Sequence, residues 1–274
     1  MIYLIQGMYK QPKGYHYELR DENLEGLSLN SIEEKFELGE FVDVEKVGKS
    51  YEINKVNKPD NFLNYFYQGE YSPSELKEKL KIYIDKITNE NYKVIIESLV
   101  MDDELFFYYP AAKTIHHAFI GGLALHTINM LEASESFIKL YDLNRDLLYT
   151  GIILHDLGKV VELENYGITY SVEGNLLGHI MIVYEQVVKV ATTLGINEDN
   201  DILYLKHLLL AHHGSCDFGS PKEPMIKEAF ILHVLDDTDA KVNIIDNAIK
   251  DIEVGELSAP QIGFDRRRFL KIKK

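Results

Sequence analysis

The rhythm of apolar and polar positions changes near residue 58. Before that point short runs alternate, as in Ile2-Tyr3-Leu4-Ile5, Tyr15-His16-Tyr17-Glu18-Leu19, Phe41-Val42-Asp43-Val44 and Tyr51-Glu52-Ile53, with Gly and Asn/Asp turn signals between them. A period of two puts alternate side chains on opposite faces. Residues 1–58 therefore predict a small, strongly curved antiparallel β unit of four or five strands, short for a closed barrel of the oligonucleotide-binding type and at most a truncated form of one.

From Ser72 onward the period lengthens to that of a helix. Ser72-Pro73-Ser74-Glu75 carries a capping serine, a proline in the first turn and a glutamate three residues after the cap, ahead of LKEKLKIYIDKI. A second helix is predicted over 91–101, and others over 116–140, 144–157, 175–194, 201–213 and 224–250. Asn144, Asn175 and Asp201 stand where N-caps belong, and Gly158, Gly195 and Gly214 where helices stop. The fold class is mainly α: a helical domain over 59–274 behind a small β-rich domain over 1–58.

The composition, 46% hydrophobic and 27% charged over 274 residues, is that of an ordinary globular chain. No apolar stretch approaches the ~18 residues of a membrane helix. The start MIYLIQGMYKQPKGYHYELR lacks the pattern of a secretory signal, and Cys216 is the only cysteine, so a reducing cytoplasmic location is expected. The net charge of −15 opposes a polyanion, so a phosphate substrate needs bound cations or a local basic patch. The dense basic cluster is C-terminal: Arg266-Arg267-Arg268, then Lys271, Lys273 and Lys274.

Helical spacing brings ionisable residues onto apolar faces. In AFIGGLALHTINML, His126 follows Gly122 and Leu123 and precedes Met130. His179 lies between Leu176 and Val183, His212 continues Leu205, Leu208 and Leu209, and Asp236 continues Ala229, Leu232 and His233. His155-Asp156 ends the apolar run IILHDLGKVV. Burying so many ionisable groups without partners is prohibitively costly, whereas a shared metal explains them together. The nitrogen and oxygen donors, with no thiolate, suit Mn, Fe, Co, Ni, Zn or Mg. His116-His117 read either as packing and capping at a helix start or as substrate contacts, and the loop 214–224 as a substrate rim with Cys216 a bystander. His207 and His233 read as packing residues, and Asp237 and Asp239 as solvated or as supports behind the ligands.

His126, His155-Asp156 and Asp236 resemble the His…His-Asp…Asp signature of the HD-domain metal phosphohydrolases. More narrowly, PAAKTIHHAFIGGLALHT, LNRDLLYTGIILHDLGKV, EGNLLGHI, AHHGS…GSPKEP and ILHVLDDTDAKVN resemble the YhaM-type 3′–5′ exoribonucleases over roughly residues 60–255. The resemblance implies one metal on His126, His155, Asp156 and Asp236, and a second on Asp156, His179 and His212, with His213 a further ligand or supporting donor. Manganese comes first among the candidate ions. The resemblance also implies a water activated between the two metals, and Lys159 facing a phosphate oxygen. The function implied is 3′–5′ hydrolysis of single-stranded RNA or short oligonucleotides. The alternatives are a nucleotide or cyclic-nucleotide phosphohydrolase, a di-iron oxygenase, and a non-catalytic nucleic-acid-binding protein.

Overall fold

The computed structural model describes residues 1–273; Lys274, the last residue of the basic cluster, lies outside them. Strands β1 (Ile2–Lys10), β2 (Tyr15–Arg20), β3 (Gly26–Ile32), β4 (Phe41–Val47) and β5 (Ser50–Val56) form an antiparallel sheet in the order β3-β2-β1-β4-β5. β1 is central, and both of its faces are covered. Ile5 joins Tyr17, Leu19, Leu29 and Val42 in the unit's own core. Its neighbour Leu4 points the other way and, with Phe41, meets Tyr65, Phe66, Ile120 and Ile168 of the helical part. Register shifts between Ile5 and Gly7 and between Tyr15 and Tyr17 curve the sheet. The sheet nonetheless stays open, with β3 and β5 as its edges among the described residues. The side chains of β5 are mostly exposed, so it has no apolar strip to roll against β3 and close a barrel.

The helices are α1 (Pro73–Ile84), α2 (Glu90–Ile96), α3 (Gly122–Leu140), α4 (Arg145–Leu154), α5 (Lys159–Glu162), α6 (Val172–Thr193), α7 (Asn200–Ala211) and α8 (Lys227–Ile249). The capping box forms as the sequence predicts: Ser72 Oγ accepts from Glu75 N, and Ser72 N donates to Glu75 Oε2 at 2.8 Å. The predicted second helix ends early as α2 and continues as one wider turn over 97–101. α4 is buried from Leu147 through Leu154, packed by α2, α3, α7 and α8. A helix covered on every side has no polar face, which is why its sequence is a continuous apolar run. A two-strand hairpin, β6 (Leu163–Glu164) and β7 (Thr169–Tyr170), links α5 to α6.

Several boundaries differ from the sequence expectation. α3 starts at Gly122 rather than residue 116, because His117 and Gly121 adopt left-handed backbone (φ 44° and 81°) and hold 116–121 as a loop. α6 is capped by Ser171, whose Oγ accepts from Gly174 N at 2.8 Å, rather than by Asn175. Asp199 rather than Asp201 precedes α7. Gly158 has an ordinary φ of −57° and does not stop a helix by turning left-handed. Its absent side chain makes room instead: a Cβ there would lie 2.1 Å from the backbone oxygen of His179.

The C-terminal basic cluster is not a free tail. Arg267 and Arg268 donate to the carbonyls of Phe264 and Ser258, and Lys271 donates to those of Lys250 and Ile252. Among the described residues, no helix is long and apolar enough to cross a membrane.

Candidate metal centre

Four helix ends and two helix interiors deliver the ionisable side chains to one place. His126 projects from the first turns of α3, and Asp236 and Asp239 from the middle of α8. His155 is the C-cap of α4, with Asp156 next to it, and His212 is the C-cap of α7, with His213 next to it. His179 follows Gly178, whose left-handed backbone (φ 71°, ψ 157°) breaks α6 one residue earlier. Lys159 opens α5. His126, His155 and His212 are fully buried, and the Asp156 side chain is 3% exposed.

Asp156 sits between two sets of imidazoles. Its Oδ2 lies 3.4 Å from His155 Nε2 and 3.9 Å from His126 Nε2, and those two nitrogens lie 3.9 and 3.3 Å from Asp236 Oδ1. Its Oδ1 lies 3.5 Å from His179 Nε2 and 3.9 Å from His212 Nε2. The donor atoms of His126, His155, Asp156 and Asp236 fall within 4.8 Å of one another, as do those of His179, His212 and His213.

Every imidazole of the two sets is held by its other nitrogen. His155 Nδ1–H donates to Ile152 O at 2.8 Å, His212 Nδ1–H to Leu209 O at 2.8 Å, and His213 Nδ1–H to Phe218 O at 2.8 Å. His126 Nδ1–H donates to Asp239 Oδ2 at 2.6 Å, and His179 Nδ1–H to Glu162 Oε2 at 3.1 Å. Carbonyls and ionised carboxylates only accept, so each ring must carry its proton on Nδ1 and turn the Nε2 lone pair inward. This is the arrangement by which proteins orient metal-binding histidines. The break at Gly178 has a part in it, since it frees His179 N–H to donate to the same Glu162 carboxylate at 3.1 Å.

Inward lone pairs without partners are costly, and they test whether metal fits. The Nε2 atoms of His126, His155 and His212 are buried and have no hydrogen-bond partner. His179 Nε2 and His213 Nε2 face each other at 3.3 Å, two acceptors with no proton of their own to share. Burial and the neighbouring imidazole of His155 hold His212 well below the usual histidine range, so it is neutral. Burial would raise Asp156, but the charge of Lys159 and the approach of His155 hold it well below the usual carboxylate range. Asp236 and Asp239 are likewise held ionised, burial being outweighed by their imidazole contacts. His126 shows the resulting demand for positive charge: burial opposes its protonation, yet Asp236 and Asp239 push it up to about 9, so without a cation this ring carries a second proton, which a bound cation replaces. Neutral imidazoles and ionised carboxylates converging without partners are what a divalent cation needs, and the residues fit one.

Lys159, although it directly follows Gly158, is largely buried. Its side chain is 12% exposed, and its ammonium donates to Asp156 Oδ2 at 2.6 Å. Burial would lower its pKa, but Asp156 outweighs that and raises it. His117 is buried, with its Nε2–H donating to Asp239 Oδ2 at 2.8 Å, so it turns away from any substrate and toward the group that orients His126. His116 is half-buried beside His126 (ring centroids 5.8 Å apart), and burial and Lys159 push it down to about 4. Asp239 holds both histidines and accepts from Asn129 Nδ2 at 3.1 Å on its second oxygen. Glu162 and Asn129 are absent from the sequence reading. No local pattern marks Glu162, which meets His179 only through the hairpin between α5 and α6. His233 supports the site from behind, its Nδ1–H donating to His212 O at 3.1 Å. The loop after His213 runs past exposed Cys216 and Phe218.

A helical bundle carrying a His…His-Asp…Asp cluster is the architecture of an HD domain, and the family profile described as HD domain matches residues 123–241. That span holds the side chains of the centre from His126 to Asp239. The chain is 46% identical over 200 residues to the 3′-5′ exoribonuclease YhaM of Geobacillus sp. (strain WCH70), covering 72% of this chain and 61% of that protein. It is 45% identical over 212 residues to the Listeria welshimeri protein of the same name (76% and 67% of the two chains), and 43% identical over 221 residues to that of Bacillus licheniformis (80% and 69%). The chain belongs to this YhaM family of HD-domain proteins. The match to the Geobacillus protein leaves more than a third of that protein's length uncovered. No solved structure matches the chain significantly.

Proposed function

We propose that this chain is a cytoplasmic, metal-dependent phosphodiesterase that removes nucleotides from the 3′ end of single-stranded RNA, and that it uses two divalent cations, manganese foremost. The observation that carries the reading is the position of Asp156, whose two oxygens face two separate sets of inward imidazole lone pairs. His126, His155 and Asp236 with Asp156 would hold one cation. Asp156 with His179 and His212 would hold the other, with His213 beside them. The chemistry that such cations supply when bound is activation of water toward phosphorus and neutralisation of charge on the phosphoryl oxygens. The chain's own groups set the stage for it. Glu162 and Asp239 fix the imidazoles, and the fixed rings keep their lone pairs aimed without reorganisation. Lys159 places a permanent positive charge at Asp156, where a phosphoryl oxygen gaining charge would be stabilised. The family names support the substrate class, because the relatives are 3′-5′ exoribonucleases. The one cysteine, exposed and unpaired, suits the cytoplasm.

The test is a 5′-labelled single-stranded RNA incubated with Mn²⁺, with chelator, and with the Asp156→Ala variant. The expected result is a ladder of products shortened from the 3′ end in the first arm alone. Internal cleavage, shortening from the 5′ end, or activity surviving chelation would overturn the reading. Higher kcat/KM on a mononucleotide or cyclic nucleotide than on RNA would replace it with the small-substrate phosphohydrolase.

A further inference from the structure

A cavity of about 570 Å³ lies apart from the metal centre, and none of the metal-facing side chains lines it. It lies between the β sheet and the helical domain, and its volume falls within the roughly 300–1,000 Å³ of small-ligand sites. Its walls come from β1 and β2, the segment after the sheet, the loop 113–120, the turn before β7 and the end of α8.

The chemistry of these walls is unlike the rest of the surface. The chain has 44 acidic residues and a net charge of −15, yet among the described residues no acidic side chain lines this cleft. Three cations do: Arg20, Lys113 and Lys250. Among the described residues, none of the three has a carboxylate oxygen within 4.0 Å. Four aromatic rings stand among them: Tyr67, Phe119 and Tyr166, with the buried Phe66 behind. The Arg20 guanidinium lies over the Tyr67 ring at 4.4 Å, and Tyr67 is 51% exposed. Tyr166 is held in left-handed backbone (φ 54°) and braced by Phe62, Phe66 and Tyr109 at ring-centroid distances of 5.3–5.4 Å. A non-glycine residue kept there is strained, and such strain recurs at ligand clamps.

The cleft and the metal centre share a wall. Lys113, Thr114, Ile115, Ala118 and Phe119 of the loop 113–120 line the cleft, while His116 and His117 of the same loop lie against His126. The loop is tied to the segment after the sheet by Ile120 N donating to Tyr67 O at 2.9 Å.

Aromatic faces interleaved with cations, in a groove from which acids are excluded, suit single-stranded nucleic acid: phosphates pair with the cations and bases stack on the rings. We infer that this cleft binds the single-stranded RNA on the 5′ side of the scissile nucleotide, with bases on Tyr67, Phe119 and Tyr166 and phosphates on Arg20, Lys113 and Lys250. The inference rests on the nuclease reading for which end of the strand meets the metals. It accounts for how so acidic a chain holds a polyanion. It also gives the sheet a role at its junction with the helical domain, through β2, rather than as a closed barrel.

The experiment uses the full chain and a short fluorescein-labelled single-stranded RNA, with binding read by anisotropy in the presence of chelator. It compares wild type with Tyr67→Ala and with the double variant Lys113→Glu/Lys250→Glu. Loss of one stacking platform should weaken binding at least about fivefold. The double variant should weaken it further and reduce the slope of log K against log salt by about one to two. With Mn²⁺, KM for the RNA should rise to match, while hydrolysis of a small chromogenic phosphodiester stays within about twofold of wild type. Lys113 and Lys250 are exposed, so the double variant keeps the test open if Tyr67→Ala folds poorly. Unchanged RNA binding in both variants, or an equal loss on RNA and the small diester, would overturn the inference. RNA binding that depends on the cleft in a protein that never shortens RNA would retain the cleft and remove the nuclease reading instead.

Discussion

Asp239 Oδ2 lies 2.6 Å from His126 Nδ1, on the edge of the ring opposite the nitrogen that faces Asp156 and Asp236. The same oxygen accepts a hydrogen bond from His117 Nε2–H at 2.8 Å. Asp239 thus fixes the tautomer and the tilt of His126 without facing the centre itself. Removing such a support typically costs 10–100-fold in metal affinity or activity. Asp239→Ala should therefore weaken Mn²⁺ binding about 10–100-fold, while excess Mn²⁺ restores much of the turnover. Metal titration followed by activity at saturating metal checks this. Affinity equal to wild type would leave Asp239 a packing residue.

Among the described residues, Asp156 is the only carboxylate within 4.0 Å of imidazoles from both sets. Reconstituted wild type should carry close to two transition-metal ions per chain. Asp156→Ala should lose both, whereas Asp236→Ala and His212→Ala should each lose one. Elemental analysis of the four purified proteins decides the matter. Full occupancy in Asp156→Ala would refute the shared position.

What could be read from the sequence depended on whether the helix carrying a residue was unbroken. His126 and Asp236 lie within continuous helices and His212 at the end of one, so a period of 3.6 placed all three inward correctly. For His179 the spacing argument fails in part, because Leu176, which the period places on the same buried stripe, is 77% exposed. The break at Gly178 shifts the helical phase, and only Val183 downstream keeps the predicted side. His116 and His117 looked like a helix start, but the turn that ends in Gly121 makes them a loop. Asp239 was within reach of the spacing argument, since three residues after Asp236 is the same helix face. Glu162 was not, because its contact with His179 is made by the tertiary path of the chain. The shortness of the β region already speaks against a closed barrel, and the sheet is open; which strands form its edges is not legible, because alternation alone does not say whether two strands meet.

Away from the centre, Asp146 offers a clean pH signature. Its Oδ2 accepts from Thr88 N, Thr88 Oγ1 and Asn89 N at 2.7–2.9 Å, which ties the start of α4 to the start of α2. Burial alone would raise this carboxyl, but those hydrogen bonds hold it below its ordinary value. A carboxylate whose folded pKa is depressed contributes stability above its unfolded value of about 3.9 and loses it as pH falls through the lower folded value. Asp146→Ala should therefore destabilise the protein at neutral pH by about 1.5–3 kcal/mol, the scale of hydrogen bonds to a charged group. Wild type and variant should converge below pH ~4. Thermal melts of the two proteins across that range provide the check, and a pH-independent gap would mean that packing rather than charge is lost.

The contact between Lys159 and Asp156 sets two effects of one side chain against each other. The ammonium lies 2.6 Å from Asp156 Oδ2, the oxygen that faces His155 and His126. There it repels a cation approaching the same oxygen, since like charges at this range oppose each other. It also carries the positive charge that a phosphoryl oxygen would meet as it becomes more negative, and removing one such preorganised group usually costs about 10²–10³ in kcat. Lys159→Ala should accordingly bind Mn²⁺ at least as tightly as wild type while turning over RNA about 10²–10³ times more slowly. KM should change less than kcat, because the contact strengthens only as charge develops. Metal affinity by calorimetry and kcat at saturating Mn²⁺ separate the two effects. Normal turnover in a metal-replete Lys159→Ala protein would remove Lys159 from the chemistry and leave it a counter-ion for Asp156. Metal binding that weakens in step with turnover would instead mean that the ammonium holds the carboxylate in place for the cations.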